Sequence, residues 1–321
     1  MRIGLTFDLQ TDPSDPRQAE FDPPATIEAL EAALRQLGHE PLRLGSAAQL
    51  IDAPERLREA ALVFNIAEGS SGRCREAWVP MLLEHWGVPF VGSGSAAQML
   101  GLDKLMSKRL AQASGVATPR WWLVDRPEAV PSSLEFPVIV KPRYEGSGLG
   151  IDAGALVHDA AALRHRIEWV LAKFSQPCLI ETFIPFGELT VFLIGNAPPE
   201  ALPAIQRPLD PATRLSCHVA PGAATWLSPV ELTPELDARA RLAAAAVFQA
   251  LRCRDMARVD FRVDEEGRLY FLEINPLPSF DPSGSVGLLA DYLGTTYAAL
   301  IGRILQAAVD RCSATEPDLF Q

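Results

Sequence analysis

The sequence predicts an α/β protein built from three consecutive lobes. Its 321 residues are more than one hydrophobic core usually organises. At the start of the chain, apolar runs of strand length alternate with apolar residues at helical spacing, which favours a parallel sheet. From about Ala96 the pattern changes to a helix, strands and a glycine-rich loop, and further strand runs follow. We therefore divide the chain into lobes at residues 1–97, 98–183 and 184–321.

The elements of the first lobe follow from the spacing of apolar residues. Strands are predicted over residues 2–8, 61–67 and 89–91, and helices over residues 27–37 and 78–86. Gly38 and Gly87 follow the two helices and end them. The loop between the first strand and the first helix is long, polar and proline-rich. Loops at this edge of a parallel sheet are usual places for ligand contacts.

The other two lobes contain the remaining predicted elements. Strands are predicted over residues 121–124, 136–141, 177–181, 188–195, 257–264 and 268–275, and helices around Lys104 and over residues 159–173. Thr233 followed by Pro234 begins a further helix, with threonine as the cap and proline at the first helical position.

The composition excludes several classes of protein. Lysine and arginine number 29 and aspartate and glutamate 40, so the formal net charge of −11 disfavours binding to nucleic acid. No uncharged apolar run approaches the ~20 residues of a membrane span, and Asp8 interrupts the N-terminal run too early for a signal peptide. The five cysteines show no C-x-x-C spacing. We expect a cytoplasmic protein without nucleic-acid or membrane partners.

Carboxylates are concentrated on a predicted hairpin near the C-terminal end of the chain. Because successive strand residues alternate faces, Asp260 shares a face with Arg258, and Glu273 shares a face with Asn275. Two carboxylates and an amide oxygen are ligands that suit Mg²⁺. The alternative interpretation is a solvated hairpin face, on which Asp, Glu and Arg are ordinary residues.

The register of this hairpin depends on the length of its turn. A turn of even length places Val263 opposite Arg268 and pairs Asp260 with Phe271. Glu273 is then one diagonal step from Asp260 on the same face. The opposite face would be a core face, formed by Val259, Phe261, Leu272 and Ile274.

A glycine-rich loop follows the strand that ends at Lys141. Backbone N–H groups of the loop, residues 145–150, can surround phosphate oxygens while the lysine supplies a fixed positive charge. The lysine precedes the glycines, so the loop matches neither the P-loop nor the dinucleotide fingerprint. An ordinary turn is the alternative for the loop, and a solvated helix charge is the alternative for Lys104. Taken alone, Glu181 and Glu188 are typical of surface acids at the ends of a strand pair.

The order and spacing of these motifs resemble the ATP-grasp superfamily and, within it, the D-alanine–D-alanine ligases. The motifs are D-K-x-x-S/T-K, F-P-V-I-V-K-P, E-G-S-x-x-G, a pair of glutamates, and R-x-D followed by E-x-N-P. Together they extend from about residue 60 to residue 290. The resemblance implies a three-lobed ATP-grasp fold, in which two lobes clamp ATP between antiparallel sheets behind a smaller α/β lobe.

The resemblance also implies which residues would hold ATP. Contacts to the phosphates would come from two lysines and the glycine-rich loop, namely Lys104, Lys141, Gly146, Ser147 and Gly148. The hinge facing adenine would be formed by Glu181, Thr182 and Ile184, and the ribose hydroxyls would be bound by Glu188.

The implied chemistry is ATP-dependent formation of a C–N bond, with ADP and phosphate as products. Two Mg²⁺ ions, or Mn²⁺ in their place, would be held by Asp260, Glu273 and Asn275, with Glu273 bridging the two. ATP would convert a carboxylate to an acyl phosphate, which an amine attacks. Arg258 would neutralise the oxyanion of the tetrahedral intermediate, and Ser147 is counted with the catalytic residues.

Several substrate-contacting motifs depart from the family's pattern. The loop that usually carries G-G-x-S-x-E lacks its glycines and serine, and Glu20 is the best candidate for the glutamate that takes a substrate ammonium. In the lid, His218 stands in place of the usual lysine and Val219 in place of the usual tyrosine. Arg214 is a candidate to replace the missing charge. These differences favour a substrate other than D-alanine.

Three functions remain open at this stage. The first is a carboxylate–amine ligase for amino-acid-like small molecules, assembled as a homodimer. The second is a relative that makes or cyclises a different amide in a secondary-metabolite pathway. The third is a non-catalytic nucleotide-binding module, which the altered lid favours and the intact set of Arg258, Asp260, Glu273 and Asn275 disfavours.

Overall fold

Three β-sheets that follow one another along the chain form the framework of the protein. The computed structural model describes residues 1–131, 133–216 and 230–314. The first sheet has four parallel strands, whereas the second sheet, of four strands, and the third, of five, are antiparallel. The prediction of an α/β protein with an N-terminal parallel sheet is therefore confirmed. The lobe boundaries near residues 97 and 183 stay predictions.

The first sheet is built from alternating strands and helices. Its elements are β1 (Arg2–Thr6), α1 (Pro24–Gln36), β2 (Glu40–Gly45), α2 (Ala47–Asp52), β3 (Leu62–Asn65), α3 (Trp78–Trp86) and β4 (Phe90–Val91). The strand order is β2-β1-β3-β4, and every residue of the inner strand β3 is buried. A strand covered on both faces explains the continuous apolar run in its sequence. Gly87 ends α3 at a φ of +65°, a conformation that glycine adopts without strain.

The second sheet carries one helix on its face. The elements that follow β4 are α4 (Ser95–Leu102), α5 (Lys104–Ala113), β5 (Trp121–Val124), β6 (Val138–Pro142), β7 (Leu156–Val157), α6 (Ala160–Phe174) and β8 (Cys178–Thr182). The strand order is β5-β8-β6-β7. Leu163, Ile167 and Val170 of α6 are buried against this sheet, as their helical spacing predicts. Asp103 begins α5, because its side chain accepts the backbone N–H groups of the first turn.

The third sheet contains the two longest strands of the fold. Its strands are β9 (Gly187–Ile194), β10 (Glu200–Ala201), β11 (Ile205–Gln206), β12 (Met256–Val263) and β13 (Leu269–Asn275), and the later helices are α7 (Pro234–Ala250), α8 (Ser285–Tyr292) and α9 (Tyr297–Ser313). The order is β10-β9-β12-β13, with β11 also paired to β9. Thr233 caps α7 as predicted, and α7 packs on this sheet. Short 3₁₀ turns occupy Pro16–Gln18, Pro54–Glu59, Arg75–Ala77, Pro127–Ala129 and Ala153–Ala155.

The register predicted for the β12–β13 hairpin is wrong. Val263 pairs with Leu269, not Arg268, and an irregularity between Asp260 and Phe261 places Asp260 directly opposite Glu273. Leu272 is the additional residue on β13 at this bulge, so the alternation of faces slips by one position. Phe271 therefore joins the core face in its place, and Leu272 turns toward a cavity. The two carboxylates are closer in register than the sequence predicts.

A buried ion pair joins the last helix to the first and third sheets. Asp255, which precedes β12, has no exposed surface, and both of its oxygens accept hydrogen bonds from Arg311 of α9 at 2.7 and 2.9 Å. The same carboxylate accepts the N–H of Gly92 at 2.8 Å, and Arg311 donates to the carbonyl of Phe90 at 2.7 Å. The pair thus joins residues far apart in sequence, and its loss would leave a buried carboxylate without its counter-charge.

We expect Arg311→Leu to lower the free energy of unfolding by about 3 kcal/mol, because removal of one member of a buried pair leaves the other charge uncompensated. Chemical denaturation measures the loss. Arg303→Leu is the matched control, since Arg303 pairs with Glu200 on the surface, where ion pairs contribute about 1 kcal/mol or less. Equal losses in the two variants would contradict the assignment of Asp255 and Arg311 as a structural tie.

Candidate active site

A cavity between the second and third sheets gathers most of the residues predicted to bind nucleotide and metal. Its walls include Lys104, Lys141, Ser147, Gly148, Glu181, Thr182, Ile184, Glu188, Arg258, Asp260 and Glu273. Gly146 lies in the loop beside this wall, and Asn275 pairs with Arg258 across the hairpin. Residues from five separate segments of the chain therefore meet at one place, although their roles there stay predictions.

Three buried charges lie on the second-sheet side of the cavity. Glu181 of β8 has no exposed surface, and its two oxygens lie 2.6 Å from the ammonium groups of Lys108 and Lys141. Burial by itself would raise the pKa of Glu181, but the charges of the two lysines outweigh this effect and lower it to about 2. Burial lowers the pKa of Lys108, and the attraction of Glu181 opposes that change. Both oxygens of the Glu181 carboxylate are therefore paired with lysine ammonium groups, and neither is left unpaired toward the cavity.

The opposite wall carries the carboxylates of the hairpin. Arg258 donates to Asp260 from Nε at 3.0 Å and from Nη2 at 2.8 Å, and Thr190 of β9 donates to the same carboxylate at 2.7 Å. Lys104 lies 3.4 Å from Glu273. Burial raises the pKa of Glu273, but Lys104, Arg258 and Lys141 outweigh it and lower the pKa to about 2. The surroundings of Glu273 thus favour its ionised form, as a metal ligand requires.

The donor set fits a Mg²⁺ ion that completes its shell with phosphate oxygens and water. Asp260 and Glu273 face each other, and the amide nitrogen of Asn275 lies 3.4 Å from Asp260, so three oxygen-bearing side chains converge. Among the described residues, no group of three or more His, Cys, Asp or Glu side chains forms a site that could hold a metal by itself. The protein thus supplies only part of a coordination shell, which is typical of Mg²⁺ sites shared with a nucleotide.

The glycine-rich loop is fastened at its first residues. Lys104 donates to the backbone carbonyl of Glu145, and the N–H of Gly146 donates to Glu20 at 3.0 Å. A Cβ on Gly146 would lie 2.4 Å from the Glu20 oxygen, so glycine is needed for this approach. Ser147 and Gly148 follow with φ of +47° and +73°. The loop is therefore held in a defined shape that exposes Ser147 and Gly148 to the cavity.

The predicted hinge lies at the end of β8. The carbonyl of Ile184 accepts a hydrogen bond from Arg262 at 3.3 Å, and Arg262 also pairs with Glu188 at 3.1 Å. The N–H of Thr182 donates to the carbonyl of Arg120 at 2.8 Å. Arg262 is buried and fixes both the hinge carbonyl and the carboxylate predicted to bind ribose. Sequence reasoning assigned Arg262 no role, because only the pairing of β9 with β12 brings it to Glu188.

Comparisons with known proteins agree with this arrangement. The family model described as "D-ala D-ala ligase C-terminus" matches residues 110–306. A D-alanine–D-alanine ligase of Synechococcus sp. (strain JA-3-3Ab) is 33% identical over 310 residues, which cover 90% of each chain. The chain belongs to the D-alanine–D-alanine ligase family. An uncharacterized protein of Sinorhizobium fredii is 35% identical over 300 residues, 88% of this chain and 86% of that protein.

Solved structures show that the family fold extends over the whole chain. The D-alanine–D-alanine ligase of Bacillus anthracis, in complex with ATP, superposes with a TM-score of 0.75 and covers 97% of this chain and 98% of its own. At 24% identity, this likeness shows the fold alone. The prediction of an ATP-grasp fold of the D-alanine–D-alanine ligase type is therefore confirmed. In the described parts of the chain, no helix is long and apolar enough to cross a membrane.

Two of the residues expected near the substrates, Glu20 and Arg214, already have partners in this structure. Glu20 is already bound, because Arg75 lies 2.6 Å from its carboxylate and Gly146 donates to its other oxygen. Arg75, to which the sequence assigns no role, therefore compensates the charge of Glu20. Binding of a substrate ammonium by Glu20 stays a prediction. Arg214 adopts a φ of +60°, and its carbonyl accepts a hydrogen bond from Arg262 at 2.9 Å. His218 and Val219 lie outside the described residues.

A second cavity, of about 290 Å³, lies beside the first and shares Ser147 with it. Four carboxylates line it, those of Glu20, Asp22, Glu68 and Asp281, and within the described chain no lysine or arginine does. Burial, together with the charges of Asp281 and Asp8, raises the pKa of Asp22 to about 7. Burial also raises the pKa of Glu68 well above its usual range. This cavity is therefore an acidic pocket next to the glycine-rich loop, in which Arg75 compensates Glu20 and the raised pKa values of Asp22 and Glu68 favour their protonated forms.

We expect Asp22→Asn to stabilise the protein more at high pH than at low pH. The folded state holds the Asp22 proton up to about pH 7, whereas the unfolded chain loses it near 3.8. The contribution of the Asp22 carboxyl to the free energy of unfolding is therefore fully present below about pH 4 and is lost as the pH rises to about 7. The asparagine side chain does not ionise, so the Asp22→Asn variant does not undergo this loss. Thermal unfolding at pH 5 and pH 8 measures it.

The exposed Asp52 provides the control for this experiment, and Asp52→Asn should shift the melting temperature equally at both pH values. If the rise in melting temperature caused by Asp22→Asn is no larger at pH 8 than at pH 5, the raised pKa of Asp22 is contradicted.

Proposed function

We propose that this protein is an ATP- and Mg²⁺-dependent ligase that joins a carboxylate to an amine through an acyl phosphate. One observation carries the proposal: two lysines and a glycine-rich loop face two carboxylates across a single cavity. Cations and backbone N–H groups on one wall suit phosphate oxygens, and carboxylates on the other suit the metal that neutralises them.

The cavity has a distinct region for each part of ATP. Ile139, Phe183 and Leu215 pack into a small apolar cluster at one end, which suits a purine ring. Glu188, next along the wall, suits the ribose hydroxyls, and Lys104 and Lys141 suit the phosphates. Asp260, Glu273 and Asn275 would hold one or two Mg²⁺ ions, or Mn²⁺, against the same phosphates.

When ATP is bound, its terminal phosphoryl group supplies the activation that turns a carboxylate oxygen into a leaving group. The residues of this chain place charge around that event. Lys104 lies between Glu273 and the Glu145 carbonyl, so it links the metal ligands to the loop. Arg258 donates from Nη1 to Ser285 at 2.9 Å while it binds Asp260, and its guanidinium is therefore held facing the cavity as a partner for an oxyanion.

The substrates proposed are amino-acid-like small molecules. The Synechococcus relative is a D-alanine–D-alanine ligase, and the acidic second cavity adjoins the glycine-rich loop at Ser147. Acidic side chains gathered in one cavity favour ligands with ammonium groups. Because Arg75 occupies Glu20, the ammonium would contact the other carboxylates of this cavity, and a fit to D-alanine is not expected. We further propose lobes at residues 1–97, 98–183 and 184–321, a homodimeric state and a cytoplasmic location.

The central prediction of this proposal is that Glu273→Gln reduces turnover by at least ~100-fold while ATP still binds weakly. The amide loses a negative charge and one acceptor oxygen, so a shared metal ligand is lost. Release of ADP, followed with a coupled assay, measures turnover. Glu265→Gln, on the exposed turn of the same hairpin, is the control that should keep the full rate. A near-normal rate for Glu273→Gln would refute the metal site.

We also expect D-alanine to be a poor substrate. The residues predicted to bind the nucleotide keep the family's types, whereas the loop around Glu20 lacks the usual glycines and serine, and His218 and Val219 replace the usual lysine and tyrosine of the lid. A screen of carboxylates and amines for ADP release should find a pair that turns over faster than D-alanine does. A kcat/KM for D-alanine at or above ~10⁴ M⁻¹s⁻¹ would show that this prediction is wrong.

A further inference from the structure

Lys108 is a buried cation to which the proposed reaction assigns no role. It lies on α5, has no exposed surface, and does not line the nucleotide cavity. Its ammonium donates to the carbonyls of Phe271 and Leu272 at 3.2 and 3.0 Å, at the bulge of β13, and lies 2.6 Å from Glu181. Burial of a lysine ammonium costs free energy unless its charge and its hydrogen-bond donors have partners. Here the carboxylate of Glu181 and the two carbonyls are those partners.

The charge balance around Glu181 shows what this lysine does. Glu181 contributes one negative charge, and the ammonium groups of Lys108 and Lys141 contribute two positive charges at equal distances of 2.6 Å. The buried group therefore carries one net positive charge, and Lys141 and Glu181 are its members on the cavity wall, whereas Lys108 is not. Without Lys108, the negative charge of Glu181 would be paired with Lys141 only. These two groups together would then have no net charge, and the positive charge on this wall of the cavity would be lost.

We propose that Lys108 is a positioning residue that shares the charge of Glu181, so that Lys141 keeps positive charge available for the nucleotide phosphates. The inference rests on the proposed function, because it assumes that phosphates bind near Lys141. Lys108 acts through Glu181 and touches neither nucleotide nor substrate. The carbonyls of Phe271 and Leu272 hold its ammonium in place, so that it lies on the far side of Glu181 from the cavity.

The test is equilibrium binding of ADP, without turnover and with the metal chelated, measured by calorimetry. Lys108→Met should weaken ADP binding by roughly 10-fold or more, the effect of one unscreened charge at this range. In a Glu181→Gln background, the same Lys108→Met substitution should change ADP binding by less than about 3-fold, because no carboxylate is then left to neutralise Lys141. Lys173→Met, on the exposed face of α6, should leave ADP binding unchanged.

The outcomes separate this inference from the proposed function. If the unmodified protein binds no ADP, the proposed function is wrong and the inference is overturned with it. If the unmodified protein binds ADP but Lys108→Met binds it equally well, only the inference is overturned. If Lys108→Met weakens binding by the same factor in the Glu181→Gln background, Lys108 is merely structural and the inference is again overturned. Loss of the effect in the Glu181→Gln background supports the inference, and thermal unfolding confirms that each variant is folded.

Discussion

The compensation of buried carboxylates by cations from other segments is the constraint on which the site depends. Glu181 is satisfied by lysines of α5 and β6, and Asp260 by Arg258 and Thr190. A buried carboxylate that lost its partner would be protonated or would unfold the local structure, since isolated charges are costly away from water. Lys108 of α5 links the second sheet to the third, because it pairs with Glu181 of β8 and donates to two carbonyls of β13. The same pairs leave cations and carboxylates facing each other across one cavity.

The sequence was sufficient to predict the elements whose signals are local. Apolar runs located β1, β3, β9 and β12, and the cap at Thr233 located the start of α7. The bulge at Leu272 could not be read in the same way, because a bulge is set by contacts with other segments. Here those contacts include the hydrogen bonds from Lys108 of α5 to the bulged carbonyls. The turn shifts the register by one residue from the even turn that we predict, and the bulge shifts it by a second, so Asp260 pairs with Glu273 rather than Phe271.

The sequence predicts those residues of the candidate site that belong to motifs with a fixed order and spacing along the chain. The nucleotide and metal candidates were found because their spacing along the chain matches a known family. Arg75, Lys108 and Arg262 were not assigned, since their importance comes from partners 55, 163 and 78 residues away. Lys108 ends the D-K-x-x-S/T-K motif, whereas the only signal of Arg75 and Arg262 in the sequence is charge within otherwise apolar or glycine-rich segments. Such charges are common on solvated surfaces, so they identify a site only once the pairing of the strands is known.

The measurement that tests the account most directly is the fate of oxygen from the carboxylate substrate. With the pair of substrates that releases ADP fastest, both carboxylate oxygens are labelled with ¹⁸O, and the released phosphate is analysed by mass spectrometry. Activation of the carboxylate by phosphoryl transfer predicts one labelled oxygen in each phosphate, because the bond to carbon breaks when the amine attacks. Phosphate without label, released as the amide forms, would contradict the account.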